Sequence, residues 1–164
     1  MLRPGSDAYF LHLAYEQACI ARDLDEVPVG AVLVDDEGKV LGKAYNQIES
    51  CHDVTGHAEL LVLRKVMADT QSRRLLGCTL YSTLEPCLMC AGAIIHSRVK
   101  RLVYGAKDPK TGAAGSVLNV FEIPFNHRVQ VGFHFQANCA QILTDFFVQK
   151  RAISRQIKKK IDGL

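Results

Sequence analysis

The sequence predicts an α/β domain in which a mixed five-stranded sheet lies between layers of helix. Three observations carry this. Five short segments rich in Val, Leu, Tyr and Phe have strand length, segments with apolar residues at helical spacing fall between them, and one turn-like stretch joins the first two strands. Strands that alternate with helices pack as one sheet covered on its faces. Hydrophobic residues make up 48% of the 164 residues, which suits a globular core and excludes a disordered chain.

Each element has its own signal. Asp7 to Ala21 carries Ala8, Leu11, Ala14, Tyr15 and Ala18 at helical spacing. Val27 to Val34 and Val40 to Ala44 read as a hairpin about Asp35-Asp36-Glu37-Gly38-Lys39. Asn46 to Gly56 is polar and irregular. His57 to Asp69 reads as a helix on Leu60, Leu61, Leu63, Val66 and Met67. Thr79 to Leu84 is a strand. Pro86 to Ser97 is a helix with Pro86 in its first turn, where a missing N–H costs nothing. Arg101 to Tyr104 is a strand, Lys107 to Ser116 a Gly-rich loop, Val129 to Phe135 a strand, and Asn138 to about Lys160 a terminal helix. No linker or repeat interrupts residues 1–164, so they read as a single domain.

The start of the chain has no apolar run of the kind a signal peptide carries, and no apolar run is long enough for a bilayer. The expectation is a cytoplasmic protein with no membrane partner. Thiols stay reduced in that compartment, so Cys19, Cys51, Cys78 and Cys139, scattered singly, read as small buried hydrophobes. The net charge is only +3, but Lys150, Arg151, Arg155, Lys158, Lys159 and Lys160 cluster with no acid among them. Such a cluster fits a phosphate backbone, or equally a solvated helix end.

Two short motifs carry chemistry. Cys87 and Cys90 are three apart at a helix start, a spacing at which two thiolates reach one ion on a shared helix face. His57 supplies a third ligand, and three protein ligands leave a fourth position open, as in catalytic zinc sites. Glu59 follows two residues after His57. Residues so spaced diverge on a helix, so Glu59 can serve as general base only if His57 sits at the very start. A closed structural zinc site would need a fourth ligand such as Cys51, His52 or Cys78, and would leave Glu59 unused. His12, His52, His96, His127 and His134 are assigned no catalytic role.

At these residues the chain resembles the bacterial tRNA-specific adenosine deaminases, of the cytidine-deaminase-like superfamily. The likeness runs from about Glu26 to Arg151. It rests on Glu26-Val27-Pro28-Val29-Gly30-Ala31-Val32, His57-Ala58-Glu59, Thr83 to Ala93, Gly105 to Ser116, Asn126-His127-Arg128-Val129 and Asp145-Phe146-Phe147. The loop from Gly105 to Ser116 is similar to one found in the tRNA enzymes. Asp53-Val54-Thr55-Gly56 departs from the family's usual Asp-Pro-Thr-Ala, touching no ligand.

The resemblance implies a three-layer α/β/α sandwich, a homodimer, one zinc ion per chain held by His57, Cys87 and Cys90, and hydrolysis of the wobble adenosine of a tRNA anticodon to inosine. It implies that Glu59 shuttles protons between a zinc-activated water and the base. It also implies that Asn46 bonds the base or ribose, that Val29 packs on the ring, and that backbone groups near Ala58 and Glu85 orient the base. Asp108 and Lys110 would line the entrance. Phe146 and Phe147 could stack on a neighbouring base, with Lys150, Arg151 and Arg155 on phosphates. The alternatives are a deaminase of free bases or nucleosides (cytosine, guanine or adenosine) and a non-catalytic RNA-binding subunit with structural zinc.

Overall fold

A computed structural model describes residues 2–162 of the chain. Its sheet runs in the order β2 (Val40–Tyr45), β1 (Gly30–Val34), β3 (Thr79–Leu84), β4 (Arg101–Ala106), β5 (Gln130–Phe133). β1 is antiparallel to β2 and β3, whereas β3, β4 and β5 are parallel. The helices are α1 (Asp7–Asp23), α2 (Ile48–Cys51), α3 (Ala58–Thr70), α4 (Leu88–His96) and α5 (Ala137–Asp162), with a 3-10 turn at Val120–Glu122.

Every residue of β1 is buried because both faces of the sheet are covered. On one face Val32, Val34, Tyr81 and Val103 pack on Phe10, Leu11 and Ala14 of α1. On the other, Ala31, Leu33, Leu80 and Leu102 pack on Val62, Leu63 and Val66 of α3 and Ile94 and Ile95 of α4. α5 shares the α1 face, with Cys139 Sγ set 3.0 Å from where a Cβ on Gly105 would stand. Gly30 permits the closest approach: a Cβ there would meet Ala14 O at 2.1 Å, so a side chain would lift α1 from the sheet. The mixed sheet between two helical layers is thus the architecture that the alternation of elements predicts.

α1 begins at Ser6, whose Oγ accepts the Tyr9 N–H. It is locked to the sheet by Asp7, whose carboxylate takes both Arg101 Nη groups at 2.7 Å and the Tyr81 hydroxyl at 2.9 Å. The Arg101 hydrogen bonds hold the Asp7 carboxyl below the usual range.

The structure corrects several boundaries. β1 starts at Gly30 and not at Val27, because Pro28 lacks a donor and the Val29 N–H turns back to Val27 O. The Asn46 to Gly56 stretch contains α2, whose first amides need a partner. The buried Glu26 supplies it: its carboxylate accepts the N–H groups of Ile48 (3.0 Å), Glu49 (3.1 Å) and Ser50 (2.7 Å). Burial raises the Glu26 carboxyl, and those three amides outweigh it, so the net shift is downward. Pro86 precedes the cap of α4 and is not in its first turn. Cys78 and Cys139 are buried, but Cys19 is only half-buried and Cys51 is exposed on α2. No helix among the described residues is long and apolar enough to cross a membrane.

Candidate active site

A cavity of about 750 Å³ opens at the carboxyl ends of β3 and β4, where Leu84, Glu85, Ala106 and Lys107 form part of its wall. Open α/β sheets commonly receive ligands there.

Both motifs sit at helix caps. His57 is the N-cap of α3 and Cys87 the N-cap of α4, each with extended backbone (φ −76°, ψ 142° and φ −71°, ψ 172°). N-cap side chains usually fold back onto the helix amides. Neither does so here, and the two turn toward each other. His57 Nδ1 lies 3.7 Å from Cys87 Sγ and 3.5 Å from Cys90 Sγ, and one ligand atom from each residue lies within 4.8 Å of the others. The cap that His57 forgoes comes from Asn46, whose Oδ1 accepts the Ala58 N–H at 2.9 Å. Because Cys87 is the cap residue, the two thiols meet across the first turn and do not share a helical face. This trio could hold a metal ion.

The electrostatics separate the two thiols. The hydrogen bond from Cys90 drops the Cys87 thiol to about 4 against the opposing effect of burial, with His57 helping. The same bond, reinforced by burial, pushes Cys90 up. Glu59 is buried beside them in the first turn of α3, and desolvation raises its carboxyl above the usual range. Its Oε1 accepts the Ser82 hydroxyl at 3.2 Å, and its Oε2 lies 3.7 Å from Cys90 Sγ. His57 and Glu59 both line the cavity although only two residues apart, since His57 precedes the helix proper.

Around this floor, Val29 and Asn46 are buried and line the cavity. Asn46 spends its Oδ1 on the Ala58 N–H and faces the cavity with the rest of its side chain. Ala58 is buried, lies outside the wall, and spends its N–H on Asn46. Glu85 is also buried, and its carboxylate grips the Gly-rich loop: Oε1 accepts the N–H groups of Ala114 (2.9 Å) and Ser116 (3.0 Å), and Oε2 accepts the Asp108 N–H (3.1 Å) and the Ser116 hydroxyl. Asp108 folds that loop further by accepting the N–H groups of Lys110 and Thr111 and the Thr111 hydroxyl. Asp108 and Lys110 both line the cavity.

On α5 the two aromatics divide. Phe146 is buried and outside the wall, while Phe147 is exposed and lines the cavity. Arg151 lines it too, whereas Lys150 lies off it and pairs with Asp25. Lys107, Phe133 and Phe135 also line the cavity, and Ser82 meets Glu59 without lining it. Ser82 had one available signal, a hydroxyl alternating onto a core-facing side of its strand.

Residues 6–151 match the MafB19-like deaminase family. A tRNA-specific adenosine deaminase of Haemophilus influenzae is 46% identical over 162 residues, covering 98% of this chain and 93% of its own. That of Aquifex aeolicus is 39% identical over 87% of this chain and 95% of its own. The chain belongs to the tRNA-specific adenosine deaminase family. A solved structure from work on A-to-I editing by tRNA:A34 deaminases at the wobble position superposes with a TM-score of 0.79 at 43% identity, covering 83% of this chain and 99% of the other.

Proposed function

We propose that this chain hydrolyses the wobble adenosine of a tRNA anticodon to inosine, acting as one zinc-dependent domain. The observation that carries the reading is the buried Glu59 beside the His57, Cys87 and Cys90 cluster in the floor of the cavity, in a chain of this family. What supports zinc is the donor set. Tetrahedral ligation at about 2.0 Å to nitrogen and 2.3 Å to sulfur sets neighbouring N and S donors about 3.5 Å apart, and the two N···S separations are 3.7 and 3.5 Å. Three ligands leave the open position that catalysis requires, and a zinc ion held by them would supply the Lewis acidity that activates a water near neutral pH.

The chain's own residues then do the following. Glu59 is placed to take a proton from the attacking water and to deliver it to N1 of the adenine ring as the water oxygen bonds to C6. The second water proton passes to the amino group, the C6–N bond breaks, and ammonia leaves. Desolvation, which raises the Glu59 carboxyl, brings it nearer the pH at which it must both accept and return a proton. Ser82 holds Oε1 in place. Asn46 Nδ2 can donate to the base or ribose, and Val29 offers an apolar contact to the ring. An anticodon loop presents unpaired bases, so extrusion of the target costs little.

The chain in this reading works in the cytoplasm as a homodimer. What supports the dimer is a set of large exposed apolar residues away from the cavity, Leu88, Met89, Val117, Leu118, Ile123 and Phe125. The deciding assay incubates the zinc-loaded protein with an anticodon stem-loop and, separately, with free adenosine, cytidine and guanine. Inosine is expected in the stem-loop. Turnover of free substrates alone would favour the nucleoside-deaminase alternative.

A further inference from the structure

Three aromatic rings stand exposed at the mouth of the cavity: Phe133 at 45%, Phe135 at 63% and Phe147 at 41%. Phe147 lies on α5 with Lys110 Nζ 5.8 Å from its ring centroid. The other two lie on and just beyond β5, with Lys107 Nζ 5.4 Å from the Phe133 centroid. Phe133 is backed by Tyr104, its centroid 5.2 Å away, and Phe135 meets Phe133 edge-on at 6.4 Å. One continuous cavity joins these rings to His57 and Glu59.

We propose that Phe133 and Phe135, with Lys107, form a stacking platform for a nucleotide adjacent to the target adenosine. The proposal rests on the RNA-substrate reading and names a subsite for it. Two features select a nucleotide as the occupant. The rings are continuous with the cavity that takes the target base, and the cations at its mouth, Lys107, Lys110 and Arg151, complement a phosphate backbone. Base–aromatic stacking is stronger than an exposed cation–π contact. An arriving base therefore displaces Lys107 from the Phe133 face, and the freed ammonium takes the phosphate beside that base. Phe147 and Lys110 repeat the arrangement at the same mouth, so neighbours on both sides of the adenosine find a ring and a cation.

The test uses the zinc-loaded full chain and an anticodon stem-loop, intact or with a single abasic nucleotide 5′ or 3′ of the adenosine. Phe135→Ala is expected to raise KM about tenfold and to leave kcat within about twofold, as loss of one stack requires. Phe135→Tyr should restore KM and Phe135→Leu should not. At one flank the abasic RNA should cost wild type that same factor and cost Phe135→Ala nothing more. Rescue by Phe135→Leu, losses that multiply at both flanks, or a changed sedimentation coefficient in Phe135→Ala would overturn the platform. Absence of inosine with wild-type protein on the intact stem-loop would instead overturn the RNA reading beneath it.

Discussion

The floor and the mouth of the cavity are built on opposite rules. In the floor, Glu59, Asn46, Glu85 and Cys90 are buried, and each has a hydrogen-bond partner from a distant element. At the mouth, Phe133, Phe135 and Phe147 are exposed, and the described residues of α5 from Arg151 onward stand in solvent. The floor is over-determined because proton transfer needs groups held within hydrogen-bond reach. The mouth can remain open because stacking and phosphate contacts tolerate small displacements. Substitutions in the floor should therefore strike turnover, and those at the mouth should strike binding.

The strongest break of that contrast would come at Glu59. Glu59→Gln is expected to lower kcat on the stem-loop about 10²- to 10⁴-fold, with one zinc per chain still present by metal analysis. Activity within tenfold of wild type would remove the proton shuttle from the floor. Cys87→Ala should lose the metal along with turnover, and normal zinc content in that variant would refute the ligand assignment. Glu85, though buried with the floor, grips the loop that forms the mouth, so Glu85→Gln reaches both regions. It weakens the grip on three loop amides, so a lower melting temperature, worth about 1–3 kcal/mol, should accompany a rise in KM larger than the fall in kcat. A pure kcat defect would assign Glu85 to the chemistry.

Smaller effects belong to the periphery. Deleting residues 152–164 keeps Arg151 at the cavity but removes Arg155, Lys158, Lys159 and Lys160. RNA binding should weaken severalfold and lose salt dependence, with a log–log slope shallower by about 1–2. An unchanged slope would leave those lysines as a solvated helix end. Asp7→Asn, on the far layer, should cost only about 1 kcal/mol, since both partners are partly exposed. The folded Asp7 carboxyl sits below its ordinary 3.8, so its contribution is complete above about pH 4 and fades as pH falls through the folded value. Denaturant midpoints of wild type and Asp7→Asn should converge toward pH 3. A gap as wide at pH 3 as at pH 7 would contradict the assignment.

The floor was legible in the sequence because its signals are local. His57, Glu59, Cys87 and Cys90 announce themselves by spacing, and the requirement that His57 begin its helix is met by its position as N-cap of α3. The clamps were hidden because their partners are far along the chain: Glu26 reaches 22 to 24 residues to Ile48 through Ser50, and Glu85 reaches 23 to 31 residues to the loop. Nothing in either glutamate's neighbourhood says which amides it will meet. The mouth was hidden in another way. The sequence predicts Val129 to Phe135 as a strand but carries nothing that says the strand lies at an edge. In the structure β5 is the edge of the sheet, and Val131, Phe133 and Phe135 are left exposed.

Glu85 holds the loop chiefly through backbone amides, those of Asp108, Ala114 and Ser116. A carboxylate that grips main chain is indifferent to most of the side chains it carries. Gly112, where a Cβ would stand 2.5 Å from both Asp108 O and Glu85 Cδ, the Asp108 and Thr111 pair, the buried Ala113 and Ala114, and Ser116, which lends its hydroxyl, stay fixed, whereas the exposed Lys110 can be exchanged while the loop keeps its course. The rim of the cavity can thus be retuned at Lys110 without rebuilding the scaffold or disturbing the His57, Cys87 and Cys90 cluster.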